Sequence, residues 1–225
     1  MVIKMISERI KKIASLVYPS KKIADVGCDH GYLIIECFEK YNILKAIAID
    51  NKIMPLDSAR NNINTYISSR KEDVRYSLSS GINDVDYDTD CIIVAGMGGA
   101  LIKNIISDGF NINGKSHYEK MKFIFQPNRN VSELREYLNE SSFLIDDEYV
   151  IYDDKKYYEI IVCHLSDSVK QLTCSEIEFG PINLVKKEDV FKEYYQNEVR
   201  KLQKVANKNT ISINEKIERI KKICL

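Results

Sequence analysis

The sequence predicts an α/β protein built on a mostly parallel sheet, with one antiparallel strand near its end and a helical hairpin beyond it. Three observations carry this. Short continuous apolar runs alternate with stretches of helical periodicity between residues 23 and 141, the pattern of parallel strands covered on both faces. Glycine-rich turns close the first and fourth of those runs, at Gly27 and Gly96. The last two apolar runs flank a polar turn at Asp153–Lys155, and a connection that short joins only antiparallel neighbours.

Each element follows in order. Ile3, Ile6, Ile10, Ile13 and Val17 recur at helical spacing and Tyr18-Pro19-Ser20 stops them, giving an amphipathic helix over 3–17. Ile23–Val26 is a first strand, followed by a glycine turn and a helix from about Gly31. LKAIAID (44–50) is a second strand ending in an acid, and residues 55–68 are helical. DVRYSLS (73–79) is a third strand, and TDCIIVAGMGG (89–99) a fourth that runs into glycines. ALIKNIISDG (100–109) is a helix, MKFIFQPN (121–128) a fifth strand, and VSELREYLNES (131–141) another helix. Residues 143–165 make the closing strand pair.

This gives a sheet domain over 1–165, a polar linker over 166–186 and a helical arm over 187–225. In the arm, Phe191, Tyr195, Glu198, Leu202 and Val205 approximate a heptad seam that Glu198 interrupts. Ile213, Ile217, Ile220 and Cys224 give a cleaner one, and NKNT (207–210) separates the two. An antiparallel coiled-coil hairpin is the expected arrangement.

Composition narrows the class. Of 225 residues, 44% are hydrophobic and 29% charged, as in ordinary soluble domains. No apolar run approaches the roughly 20 residues that span a bilayer, and MVIKMISERIKKIASLV is neither a secretory core nor an anchor. A cytoplasmic protein without a membrane partner is expected, and a monomer. The six cysteines show no C-x-x-C spacing and read as buried free thiols, and the three histidines add no zinc pattern, so no metal is expected. Net charge is zero overall, yet residues 1–22 carry +5, residues 187–225 carry +4, and the middle carries −9. Basic ends on an acidic centre either bring phosphate-seeking charge to a cleft or are solvated helix faces. On the first view, Arg9, Lys11 and Lys12 of the first helix and Arg200, Lys201, Lys204 and Lys208 of the arm are the candidate RNA contacts.

The strongest local signal is Asp25-Val26-Gly27-Cys28-Asp29-His30-Gly31 at the end of the first strand. Glycine there lets the backbone turn tightly and approach a ligand at the carboxyl edge of the sheet. A dinucleotide site wants G-x-G-x-x-G. This chain places Asp29 where the second glycine would fall and Asp25 just before the turn. Two carboxylates suit a ligand bearing an ammonium and a sulfonium, which favours S-adenosylmethionine over a dinucleotide. A tight turn with a capping Asp is the alternative. Asp50 ends the second strand, where an acid accepts hydrogen bonds from ribose hydroxyls, and Ser79-Ser80-Gly81 after the third strand falls where adenine lies against backbone, making Ser80 and Gly81 candidates. The glycines of Ala95-Gly96-Met97-Gly98-Gly99 clear side chains from the place where methyl donor and acceptor meet, or make a flexible loop. Gln126-Pro127-Asn128 offers paired amides for the edge of a flipped base, or a plain strand stop.

Together these residues resemble the bacterial tRNA (adenine(22)-N(1))-methyltransferases: ISERIKKIASLV, ADVGCDHGYL, IAIDN, AGMGG, IFQPN and an FGP before the helical tail, over essentially the whole chain. The resemblance implies a Rossmann-like methyltransferase domain, methyl transfer to N1 of a tRNA adenine, S-adenosylmethionine as donor, tRNA as partner, and a C-terminal coiled-coil arm used for tRNA. Carried over by position, Asp25, Gly27, Asp29, His30, Gly31, Asp50 and Asn51 would line the donor site, and Gly96, Met97, Gln126 and Asn128 would face the acceptor. Gly31 stands where the family often has alanine, and Asp50 where it often has glutamate. Asp29 is the candidate to stabilise the cationic product base or take its N6 proton. The rival readings are a methyltransferase for another RNA, a protein or a small molecule, a non-catalytic nucleotide- or RNA-binding module, and an NAD-dependent oxidoreductase that lacks its glycine motif.

Overall fold

The computed structural model describes residues 6–205 and 211–224. Seven strands form one sheet in the order β3-β2-β1-β4-β5-β7-β6: β1 (Lys22–Val26), β2 (Lys45–Asp50), β3 (Val74–Leu78), β4 (Cys91–Met97), β5 (Lys122–Pro127), β6 (Phe143–Asp153) and β7 (Lys156–Leu165). β1 to β5 pair in parallel, and β7 runs antiparallel to both its neighbours. The expected sheet, including its one reversed strand, is the sheet present. Chain order reverses between β1 and β4, so their carboxyl ends open the crevice where such sheets bind ligands.

Helices cover both faces. α1 (Glu8–Ser15), α2 (Tyr32–Lys40) and α3 (Ile53–Tyr66) pack on one, around Ile13, Ile34, Ile35, Ala59 and Ile93. α4 (Gly99–Asn113) and α5 (Val131–Glu140) pack on the other, around Ile102, Ile106, Phe123, Phe125 and Leu138. The first helix is shorter than its apolar periodicity implied. Ser7 caps it, its Oγ accepting the Ile10 N–H at 3.3 Å, so Ile6 stands before the helix and Ile3 lies outside the described residues.

Residues 166–186 hold two short helices, α6 (Cys174–Phe179) and α7 (Pro181–Lys186). Thr173 and Glu176 form a capping box at the start of α6. The segment is fixed by a buried ion group. Arg135 donates to Glu148 at 2.7 Å and also to Glu159, while the amides of Ile182 and Asn183 donate to Glu148 at 2.9 and 3.3 Å. Gly180 is left-handed, at φ 91°, and any Cβ there would strike the Glu148 carboxylate.

The arm consists of α8 (Asp189–Val205) and α9 (Ile211–Cys224), which pack together. Its seam runs through Phe191, Tyr195 and Val199, joined by Ile217 and Ile220 and closed against Val150 of β6 and Phe179 of α6. Val199 takes the buried position that the heptad reading gave to Glu198, because a spacing of four from Tyr195 keeps the stripe on one face. Five cysteines are buried free thiols as expected, whereas Cys174 is exposed at the start of α6.

Candidate active site

At the switch point between β1 and β4 the backbone is bent by residues that tolerate it. Gly27 has φ 78°, Asp29 46° and Gly31 70°. The turn is pinned to β2, since the amides of Gly27 and Cys28 both donate to the Ile49 carbonyl, at 2.8 and 3.0 Å. Gly31 caps α2, and a Cβ on it would lie 3.1 Å from the Ala59 Cβ. An alanine there would have to open this helix contact and also hold a left-handed backbone.

A cavity of about 500 Å³ lies over this turn, within the size range of cofactor sites. Its walls include Asp25, Gly27, Asp29, His30, Asp50 and Asn51 from the first two strand ends, Gly96, Met97 and Asn128 from the next two, and Arg9, Ile10 and Ile13 from α1. Three carboxylates thus face one cavity. Asp25 is buried, and burial, with Asp50 and then Asp29 adding to it, pushes its carboxyl up to about 7. Asp29 sits at the mouth with its side chain 71% exposed, 3.7 Å from the half-exposed His30 ring. Asp50 Oδ1 accepts the Lys52 amide at 3.0 Å. Ser80 is exposed and Gly81 buried, and neither forms part of the wall. Their loop is joined to Asp50 through the Ser79 amide, 3.0 Å from the Asp50 carbonyl.

The acceptor side is built on a β-bulge. β4 shifts register against β5 between Ala95 and Met97, where Gly96 takes φ 78°. A bulged residue loses its ladder partners, and two side chains replace them. Gln126 Oε1 accepts the Gly96 N–H at 3.2 Å, and Asn128 Nδ2 donates to the Gly96 carbonyl at 2.6 Å. Gln126 Nε2 donates to Asn128 Oδ1 at 3.1 Å. Pro127, which has no N–H to give, stands opposite Met97.

Gln126 is fully buried and committed to this network, so it supports the site from behind. Only Asn128, which is exposed, reaches the cavity. Of the glycines after Ala95, only Gly96 faces it. Gly98 and Gly99 pack on Arg129 and Asn130, and a Cβ on Gly99 would overlap the Asn130 carbonyl. Of the three glycines in that spacing, one thus faces the cavity, one lies against the Arg129 side chain and one packs on the backbone of Arg129 and Asn130.

Arg9 completes the corner. Its Nη1 donates to Gln126 Oε1 at 2.9 Å, and its guanidinium carbon lies 5.0 Å from the Tyr158 ring centroid. Arg9 and Asn128 also line a second cavity, of about 690 Å³. Its other walls are Tyr152, Lys155, Lys156, Tyr157 and Tyr158 of the β6–β7 hairpin, and Tyr194, Asn197, Glu198, Arg200, Lys201 and Lys204 of α8. Three of the arm cations read from sequence therefore meet Arg9 in one groove. Lys208 lies outside the described residues. Lys11 and Lys12 are elsewhere: Lys11 pairs with Glu8 at 2.7 Å, and Lys12 lies 3.5 Å from the Tyr149 ring centroid, where burial lowers its pKa. The hairpin residues gave no signal in sequence, since YDDKKYY reads as an ordinary polar turn between strands.

Among the described residues no cluster of His, Cys, Asp and Glu has metal-binding geometry, and no helix is long and apolar enough to cross a membrane.

Comparison with known proteins bears on this geometry. A family model for tRNA (adenine(22)-N(1))-methyltransferase matches residues 23–223. The Bacillus subtilis tRNA (adenine(22)-N(1))-methyltransferase is 31% identical over 170 residues, spanning 72% of this chain and 66% of that protein. A Streptococcus pneumoniae protein, a proposed tRNA (m1A22) methyltransferase solved in complex with S-adenosyl-L-methionine, superposes with a TM-score of 0.85. It is 31% identical, over 98% of this chain and 100% of that one. M. capricolum TrmK in complex with S-adenosyl-homocysteine superposes with a TM-score of 0.80 at 28% identity, covering 97% of each chain.

Proposed function

The chain belongs to the tRNA (adenine(22)-N(1))-methyltransferase family, and we infer that it transfers a methyl group from S-adenosylmethionine to N1 of adenine 22 in tRNA. The observation that carries this reading is the convergence of three carboxylates on one cavity beside a strand end bulged at Gly96. The residues fit the donor. A carboxyl pushed up to about 7 by burial, with two acidic neighbours adding to it, gains by meeting a cation, and S-adenosylmethionine brings both an ammonium and a sulfonium. Asp25 would hold that end, with the Gly27 turn against it and Asp29 at the mouth. Asp50, whose Oδ2 is not used by Lys52, would take the ribose hydroxyls, with Asn51 and His30 at the rim and the Ser80–Gly81 loop near the adenine.

When bound, S-adenosylmethionine supplies an electrophilic methyl group. Adenine N1 already carries a lone pair, so this chain needs no strong base. Its task is to hold N1 in line and to exclude water, which supplies much of the acceleration. The Gly96 bulge leaves the strand end bare for the base, Asn128 offers its remaining amide N–H, and Met97 walls the site. Arg9, anchored by Gln126 and stacked on Tyr158, keeps donors free for a phosphate of the target nucleotide. The methylated base is cationic, and the nearby Asp29 carboxylate would stabilise it. A sheet domain over 1–165 would then do the chemistry, with the 187–225 arm holding RNA across the segment 166–186. A tRNA substrate implies a cytoplasmic enzyme, and one chain holds every residue named here, so a monomer suffices.

Calorimetric titration with S-adenosylmethionine, S-adenosylhomocysteine and NAD tests the donor assignment. Binding of the first two but not NAD is expected. Binding of NAD alone would refute it.

A further inference from the structure

The geometry points to a nucleobase-stacking site on the β6–β7 hairpin, in which the rings of Tyr152, Tyr157 and Tyr194 take an unstacked base of the RNA beside the target adenine. The inference rests on the reading of this chain as a tRNA methyltransferase and adds to it how the RNA is held next to the site of chemistry.

The three rings form a continuous strip. Tyr152 and Tyr157 have centroids 4.8 Å apart, and Tyr157 and Tyr194 5.2 Å apart with planes inclined by 32°. The strip is fixed, because the Asn197 side chain donates to the Tyr157 hydroxyl at 2.7 Å. It is also open. Tyr157 and Tyr194 are only partly buried against the arm core, and Tyr152 is 52% exposed and belongs to none of the three buried clusters. Burial of the fold therefore does not account for a large aromatic ring at position 152.

The turn that presents the strip points the same way. Asp154 and Lys155 have φ of 44° and 62°, both left-handed, in a two-residue hairpin connection that Asn-Gly would fill without strain. Keeping a lysine in such a position retains its cation at the groove, and strained backbone of this kind gathers at functional sites. Lys155, Lys156 and Arg200 line the same groove as the three rings.

Aromatic faces flanked by cations suit single-stranded nucleic acid, since every base has a face to stack and the cations follow the phosphates. Position supplies the rest. The groove shares Arg9 and Asn128 with the donor cavity, so a base on the strip lies next in line to a base at the bulge. An adenine methylated on its Watson–Crick edge must leave its pair and stack. Its neighbour then loses a stacking partner, and the strip replaces it.

The test compares Tyr152→Ala and Tyr152→Phe with the wild-type chain, titrating a tRNA transcript that carries adenine 22 at several salt concentrations. S-adenosylmethionine affinity serves as the control for folding. Tyr152→Ala should bind the tRNA about tenfold more weakly, with donor affinity and salt slope unchanged, because the ring carries no charge. Tyr152→Phe, which keeps the ring, should bind as the wild type does. Wild-type affinity in Tyr152→Ala would overturn the strip while leaving the methyltransferase reading intact. An altered salt slope, or loss in Tyr152→Phe as well, would overturn stacking in favour of polar contact. A wild-type chain that binds no tRNA at any salt would overturn the methyltransferase reading itself.

Discussion

Arg9 Nη1 donates to Gln126 Oε1 at 2.9 Å, tying the first helix of the chain to the end of β5 across 117 residues of sequence. The same oxygen accepts the amide of the bulged Gly96. The guanidinium thus sits on the element that shapes the acceptor corner, at the junction of the donor cavity and the basic groove.

Arg9→Ala is expected to lower turnover on tRNA while leaving S-adenosylmethionine affinity close to wild type. The loss of one charge-assisted hydrogen bond corresponds to about 1.5–3 kcal/mol. Steady-state kinetics with both substrates checks this, and a variant with unchanged kcat and tRNA KM would remove Arg9 from the site.

Asp25 gives donor binding a pH dependence of known sign. Its carboxyl is raised from 3.8 to about 7, so the fold keeps a proton that the unfolded chain releases. Stability of the free protein should fall as pH rises between those values. A cationic donor favours the ionised form, so affinity should rise with pH up to about 7 and level off above it. Below that point each pH unit costs about tenfold, with a proton released on binding. Calorimetry in buffers of different ionisation enthalpy reads the proton directly. Asp25→Asn should bind more weakly and without this dependence.

Asp29 stands at the cavity mouth with most of its side chain in solvent, a place suited to a charge that develops late. Asp29→Asn is expected to reduce kcat more than donor affinity. Equal loss in both would make it a binding residue only.

Salt dependence tests the groove. Arg200→Ala and Lys204→Ala should each weaken tRNA binding and reduce the slope of log K against log salt by about one. Lys11→Ala, whose ammonium pairs with Glu8, should change the slope less. Single substitutions are the cleaner test, because removing the arm would uncover Val150 and Phe179.

The sheet was legible because its strands are buried on both faces and its turns carry glycine where β1 and β4 end. Asp25, Gly27, Asp29 and Asp50 were legible as one site because fold topology alone brings β1 and β2 together. The acceptor corner was not. Gln126 and Asn128 have the chemistry of base-reading amides, yet the Gly96 bulge takes the whole of Gln126 and part of Asn128, and a bulge has no periodicity to betray it. Charge totals group Arg9 with Lys11 and Lys12 as an RNA contact, because they carry no direction and do not separate the one that turns to the cavity. Val199 takes the place of Glu198 in the arm seam because α8 packs against β6 as well as α9, so its apolar stripe departs from a strict heptad. The hairpin tyrosines carry no signal in sequence, since only the folded hairpin sets Tyr152 and Tyr157 against Tyr194 of α8.

Reverse transcription of tRNA after incubation with the chain and S-adenosylmethionine tests the central claim most directly, because a methyl group on N1 blocks the pairing edge and halts the polymerase. A new stop at adenine 22, absent when S-adenosylhomocysteine replaces the donor and absent when that base is replaced by guanine, is the expected result. Methyl incorporation that persists without adenine 22, or none at all with donor and tRNA both bound, would contradict it.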